Sequence, residues 1–166
     1  MQSSQAMIIR RYEPGEELAI WNVYFRTTHE SNGRDYHPDL LRRWAPPDQD
    51  MGEWTDRLKS TDPWVAVVDG AVVGMAELES TGEIGYFYVL PDCQGQGVGS
   101  RLLEAIESQA REAGICELAA DVSITAKDFF VLKGFRIMES RDNVIIGHPA
   151  PNFAMCKSLV GVKCGG

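Results

Sequence analysis

The chain has 166 residues, 44% hydrophobic and 24% charged, which suits one domain with a buried core and excludes a disordered, collagen-like or disulfide-stapled polypeptide. Sixteen Lys and Arg against 24 Asp and Glu give a formal net charge of −8, a poor partner for a nucleic-acid backbone. No apolar run approaches the roughly 20 residues of a membrane span, and the first residues, MQSSQAMIIRRY, lack the pattern of a secretory leader, so the expected compartment is the cytoplasm.

Met7 to Arg11 reads as a first strand, turned by Glu13-Pro14-Gly15. Leu18, Trp21, Phe25 and Thr28 recur at helical spacing and predict an amphipathic helix over 16–28. Leu40, Leu41 and Trp44 predict a second short helix, stopped by Pro46-Pro47. Met51, Trp54 and Leu58 predict a third, capped by Asp48 or Asp50. The period then changes. Trp64 to Val68, the turn Asp69-Gly70 and Ala71 to Leu78 form a hairpin, and after Thr81-Gly82 a further strand runs from Glu83 to Val89. A glycine-rich loop leads into a helix over Ser100 to Ala113, with Leu102, Leu103, Ile106 and Ala110 on one stripe and Gly114 as its stop. Glu117 to Val122 is a strand, Thr125 to Lys133 a short helix, and Phe135 to Glu139 and Asn152 to Leu159 the last strands, with a loose tail over 161–166. The step from 83–89 through the helix to 117–122 is long enough for a parallel crossover, so the sheet is mixed. No repeat or linker divides the chain, and residues 1–166 read as a single domain.

Cys93, Cys116, Cys156 and Cys164 contain no Cys-x-x-Cys pair and read as reduced thiols. His29, His37 and His148 stand at no metal-ligand spacing relative to them, so no metal is expected.

The informative segment is Gln94-Gly95-Gln96-Gly97-Val98-Gly99-Ser100, between a strand and a helix. Its glycines let amides converge, and the helix start adds roughly half a positive charge, which makes an anion site suited to phosphate or pyrophosphate. A triphosphate loop needs Lys after its last glycine, where Ser100-Arg101 stands. A dinucleotide loop needs a third glycine, where Ser100 stands, and a first strand in place of the meander. The remaining class is the pyrophosphate of coenzyme A.

Val89-Leu90-Pro91-Asp92-Cys93-Gln94-Gly95-Gln96-Gly97-Val98-Gly99 resembles motif A of the GNAT acetyltransferase superfamily, and Ala126-x-x-Phe129-Phe130-x-x-x-Gly134-Phe135 resembles its motif B. The resemblance extends over about 7–160. It implies a mixed, mostly antiparallel central sheet of six or seven strands flanked by helices. It also implies an N-acetyltransferase that moves an acetyl group from acetyl-CoA directly to the amine of a small molecule or peptide, in a ternary complex. By the same resemblance Gln94, Gly95, Gln96, Gly97, Val98, Gly99 and Ser100 hold the pyrophosphate, Tyr88, Val89 and Leu90 pair with the pantetheine, and the Val89 N–H polarises the thioester carbonyl. The family's tendency to pair leaves room for a homodimer, with no nucleic-acid or membrane partner.

Three positions depart from the family pattern. Phe130 stands where the frequent proton-donating Tyr is found and is left to pack against the pantetheine; Ser123 replaces an Asn that touches the cofactor; Gln94 and Gln96 replace cations. Residues 61–126 carry 2 basic and 11 acidic groups, so binding rests on amides more than on cations, with Lys127 or Lys133 reaching the nucleotide end. For the acceptor's proton the candidate is Glu83, with Glu77 and Glu79 beside it, and for the leaving thiolate Tyr86, with Tyr88 two residues on. Cys93 has no neighbouring base in sequence and reads as an ordinary loop residue. Because Phe130 cannot donate a proton, a non-catalytic acyl-CoA-binding module is the competing reading.

Overall fold

Seven strands form one sheet in the computed structural model, which describes residues 6–162. In chain order the elements are β1 (Met7–Arg11), α1 (Glu17–Arg26), α2 (Pro38–Trp44), α3 (Met51–Thr61), β2 (Trp64–Val68), β3 (Ala71–Leu78), β4 (Glu83–Val89), α4 (Val98–Glu112), β5 (Glu117–Ser123), α5 (Lys127–Leu132), β6 (Arg136–Arg141), β7 (Val144–Ile145), β8 (His148–Pro149) and β9 (Asn152–Ser158). The sheet order is β1-β2-β3-β4-β5-β9-β6, with β4 and β5 parallel and the other neighbours antiparallel. β7 and β8 form a separate small hairpin. The residue pattern does not announce that hairpin, because two-residue strands carry no readable periodicity.

Local chemistry explains the element ends. Asp50 Oδ1 accepts the Gly52 and Glu53 amides at 2.8 and 3.1 Å and so caps α3. On α4, Leu102, Leu103, Ile106 and Ala110 are buried, as their stripe requires. Helix α1 departs from expectation at Leu18, which is 69% exposed. At 3.6 residues per turn Leu18 sits on the opposite flank from Ile20, Val23 and Tyr24, which face the sheet. The tail from Gly161 onward lies mostly outside the described residues.

The core has two layers. Ala76, Ile84, Leu102, Ile106, Leu118 and Met155 pack between the sheet and α4, while Ile20, Val23, Trp54, Leu58, Val65 and Met75 pack under α1 and α3. Helices therefore cover both faces, and β4 lies near the middle.

Strand β4 carries a bulge. Ala76 opposes Phe87 and Leu78 opposes Ile84, so Gly85 and Tyr86 together face the single residue Glu77. Glu77, 2% exposed, accepts the Tyr86 amide and the Arg57 guanidinium on the same oxygen, each at 2.8 Å. Arg57 also lies over the Tyr86 ring at 3.8 Å. A Cβ at Gly85 would come within 3.0 Å of that carboxylate oxygen and 3.2 Å of the Glu77 Cβ, so the bulge fits only glycine without displacement. Past it, β4 leaves β5. The two strands pair only at Glu83–Ala119 and Ile84–Ala120.

Arg57→Ala removes the cation paired with Glu77 and is expected to destabilise the fold by about 2–4 kcal/mol in urea unfolding, below the largest cost of breaking a buried pair because Arg57 is itself 38% exposed. An unchanged midpoint would remove this pair as the support of the bulge.

Candidate active site

The end of β4 sets the direction of the chemistry. The Leu90 amide donates to the Val73 carbonyl at 2.8 Å. Alternation along an antiparallel ladder then turns the Val89 peptide groups the other way, into the gap left by β5. The Val89 carbonyl is taken by Thr27 Oγ1 at 2.9 Å and Gln94 Nε2 at 3.1 Å. Gln94 Nε2 also reaches Ser31 Oγ at 3.1 Å. Thr27 and Ser31 bound a π-helical turn that widens the end of α1. That turn bolts α1 to the mouth of the gap.

The loop then delivers amides. Pro91–Cys93 make one 3₁₀ turn, and Gly97, at φ +86°, takes the N-cap position of α4 with no side chain capping it. The first-turn amides of Val98, Gly99 and Ser100 lack intrahelical carbonyls, and the helix bonding starts with the Arg101 amide on the Gly97 carbonyl at 3.1 Å. Nothing lies within 4 Å of where a Cβ would sit on Gly95 or Gly97, so this amide-rich surface opens outward.

From there a cleft of about 530 Å³ runs between the parted strands. Phe87, Tyr88 and Val89 form one side and Asp121, Val122 and Ser123 the other, with Phe129 and Phe130 of α5 closing it. The shape is amide-lined at one end and apolar along unpaired strand edges at the other. It fits a long ligand with a diphosphate head and an amide-bearing arm, which is the chemistry of coenzyme A.

Nine of the twelve expected cofactor residues line this cleft: Tyr88, Val89, Gln94, Gly95, Gly97, Gly99, Ser100, Ser123 and Phe130. Three do not. The Val98 side chain is buried in the core, Leu90 packs between the two core layers, and Gln96 is exposed with its Nε2 on the Asp92 carbonyl at 3.2 Å. Ser123 Oγ accepts the Ala126 amide at 3.2 Å and closes the turn into α5. Phe130, 4% exposed, meets Phe87 at 5.5 Å and Phe135 at 5.0 Å between ring centres, so it is a packed floor. Thr27, Ser31, Asn32 and Asp121 also line the cleft and were not singled out for it by sequence, and Lys133, one of the two lysines expected to reach the nucleotide end, lines it too. Asp121 is paired with Arg141 at 2.8 Å.

The two expected catalytic residues lie apart from one another. Glu83 is exposed at the paired end of β4, outside the cleft lining. Tyr86 faces the other side of the sheet, between Arg57 and Tyr24, whose ring stacks on it at 4.7 Å. There it lines a second recess of about 210 Å³ with Trp21, Trp44, Trp54 and Glu53. Tyr88 contacts Tyr24 at 4.9 Å and Tyr86 at 5.7 Å between ring centres and also lines the main cleft, so these three rings divide cleft from recess. Burial holds the Tyr88 and Tyr24 hydroxyls well above the ordinary phenol range, so both keep their protons at neutral pH. Glu77, expected beside Glu83 as a carboxylate for the acceptor's proton, is enclosed instead. Burial and then Asp92 push the Cys93 thiol up, which removes thiolate character at neutral pH. His29 donates from Nε2 to the Ala45 carbonyl at 2.8 Å and holds the π turn to the end of α2. Cys93 and Cys156 are free, as expected; Cys116 is disulfide-bonded, which corrects the expectation of reduced thiols at that position, and Cys164 lies outside the described residues.

Residues 33–145 match the acetyltransferase (GNAT) domain family. The uncharacterized N-acetyltransferase YafP of Escherichia coli is 30% identical over 149 residues, covering 89% of this chain and 93% of its own. An N-acetyltransferase crystal structure from Rhodopseudomonas palustris superposes with a TM-score of 0.84 at 28% identity, covering 96% of this chain and 98% of the other. The PaiA N-acetyltransferase of Thermoplasma acidophilum, solved in complex with coenzyme A, shares the fold with a TM-score of 0.75 at 18% identity, covering 92% and 99%.

Gly97→Asp adds a Cβ at a left-handed position and an anion at the amide cluster. Titration calorimetry is expected to show coenzyme A binding weakened by more than about tenfold, with the fold retained by circular dichroism. Undiminished binding would move the diphosphate site elsewhere.

Proposed function

The chain belongs to the GNAT acetyltransferase family, and on that premise we propose that it acetylates the amine of a small molecule or peptide by direct transfer from acetyl-CoA within a ternary complex in the cytoplasm. The observation that carries this reading is the parting of β4 from β5 directly beside an uncapped helix start. Among the described residues no helix is long and apolar enough to cross a membrane.

Acetyl-CoA supplies the acetyl group as a thioester. Amides from Gly95 to Ser100 hold its diphosphate, and the free edges of β4 and β5 take the amides of its arm. The Val89 N–H, aimed into the gap, is placed to donate to a carbonyl oxygen that gains charge during transfer. The Phe130 floor and the Phe87–Phe129 contact at 5.7 Å keep water from the cleft. The acceptor amine approaches from the recess lined by Tyr86 and the tryptophans. Tyr88, which lines the cleft, meets the recess-lining rings of Tyr24 and Tyr86 and keeps its proton, takes the acid role that Phe130 cannot fill. Glu83, exposed outside the cleft, keeps the role of drawing a cationic amine toward the site.

Thiol release from acetyl-CoA across a panel of amines tests the activity, and binding without turnover on every amine would instead support an acyl-CoA-binding module. Tyr88→Phe is expected to lower kcat by about 10- to 100-fold with acetyl-CoA affinity little changed, whereas Glu83→Gln leaves kcat within about twofold. Full kcat in Tyr88→Phe would remove it as the acid.

Cations contribute little to the diphosphate site. Arg26, beside the loop, is held by Glu30 at 2.8 Å and Asp92 at 3.2 Å. Acetyl-CoA affinity is therefore expected to fall by less than about fivefold between low salt and half-molar sodium chloride, and a steep loss would show that cations, not amides, carry the binding.

A further inference from the structure

Away from the cleft, the fold brings His148 against two side chains at the start of α2 that lie far from it in sequence. His37 and Asp39 open α2, and His148 lies in β8. The two imidazole rings lie face to face, with centres 3.6 Å apart and planes 10° from parallel. Asp39 Oδ2 stands 3.3 Å from His148 Nε2 and 3.7 Å from His37 Nδ1. One donor atom from each residue falls within 4.8 Å of the others.

Those separations have a chemical meaning. Four ligand atoms held tetrahedrally at about 2.0–2.2 Å from one ion stand about 3.3–3.6 Å from each other. Both oxygen-to-nitrogen distances already match that edge, within a tenth or so of an ångström. Two imidazoles and one carboxylate suit Zn²⁺, Ni²⁺ or Cu²⁺, whereas Ca²⁺ and Mg²⁺ prefer oxygen cages. Arg42 holds the other Asp39 oxygen, Oδ1, and so turns Oδ2 toward the rings. The cost of loading is two hydrogen bonds, the Asp39 amide on His37 Nδ1 at 3.1 Å and His148 Nε2 on Asp39 Oδ2 at 3.3 Å, and a rotation of the two rings off their stack so that both in-plane lone pairs aim at one ion.

We propose that His37, Asp39 and His148 bind one divalent transition-metal ion that fastens α2 to the β7–β8 hairpin. The same seam already carries Tyr36, whose hydroxyl donates to the Pro151 carbonyl at 2.6 Å and accepts the Ile124 amide at 2.9 Å. Ile124 adjoins Ser123 and Thr125, which line the main cleft, so an ion here stiffens the rim of the active site without touching it. The site goes beyond acetyl transfer and stands whether or not the acceptor is identified.

The test uses untagged, chelator-stripped protein and zinc chloride in titration calorimetry at neutral pH. One equivalent should bind with a dissociation constant of about 10 μM or tighter and raise the melting temperature. His148→Gln and Asp39→Asn should each weaken zinc at least about tenfold and leave acetyl-CoA binding unchanged, while His29→Gln retains zinc. Absence of binding at 100 μM zinc, on the order of ten times that constant, or wild-type zinc affinity in both His148→Gln and Asp39→Asn, overturns the proposal.

Discussion

Glu77 Oε1 receives the Tyr86 amide and the Arg57 guanidinium, each at 2.8 Å, in a part of the sheet where only 2% of the residue is exposed. That carboxylate replaces the carbonyl partner that a regular ladder would have given Tyr86. It thereby stabilises two β4 residues against one of β3, and the extra residue bends β4 off the line of β5. The cleft depends on that bend. A straight β4 would continue pairing past Ala120, and the edge groups that form the cleft walls would be spent on each other. A buried carboxylate is costly without partners, and the guanidinium over Tyr86 supplies the compensating charge.

The second constraint is the helix start beside the gap. An acidic protein with 2 basic and 11 acidic residues over 61–126 looks unfit to hold a diphosphate. Mean charge and local field are separate quantities, however. Amides at the start of a 15-residue helix point at one place, carry fixed partial charge and need no mobile cation. Gly97 permits this by adopting a conformation that a side chain would oppose and by leaving the N-cap position bare.

Much of this was readable beforehand. The strand at Met7–Arg11, the aspartate cap on α3 (Asp50 of the two candidates Asp48 and Asp50), the Asp69-Gly70 hairpin and the glycine loop depend on neighbours within a few residues, and they stand where the pattern puts them. Nine of the residues expected to hold a cofactor line the cleft for the same reason, since loop, strand end and α5 are short continuous motifs. Tyr86 and Tyr88 were harder. Alternation places both on one face, but the bulge and the ring stack decide that Tyr88 reaches the cleft while Tyr86 reaches only the recess. Thr27 and Ser31 gave no signal, because a widened helical turn leaves no mark in residue spacing.

By itself the sequence determined the order of the main elements, the glycine loop between β4 and α4 and the family, all of which are written in local spacing and residue type. Only the tertiary structure decided that Glu77 is enclosed, that Tyr88 lines the cleft while Tyr86 lines the recess, and that His148 meets His37 and Asp39 across the hairpin. These outcomes turn on which distant surfaces pack together. Burial, charge pairing and ring contact are properties of that packing, and no single stretch of chain encodes them.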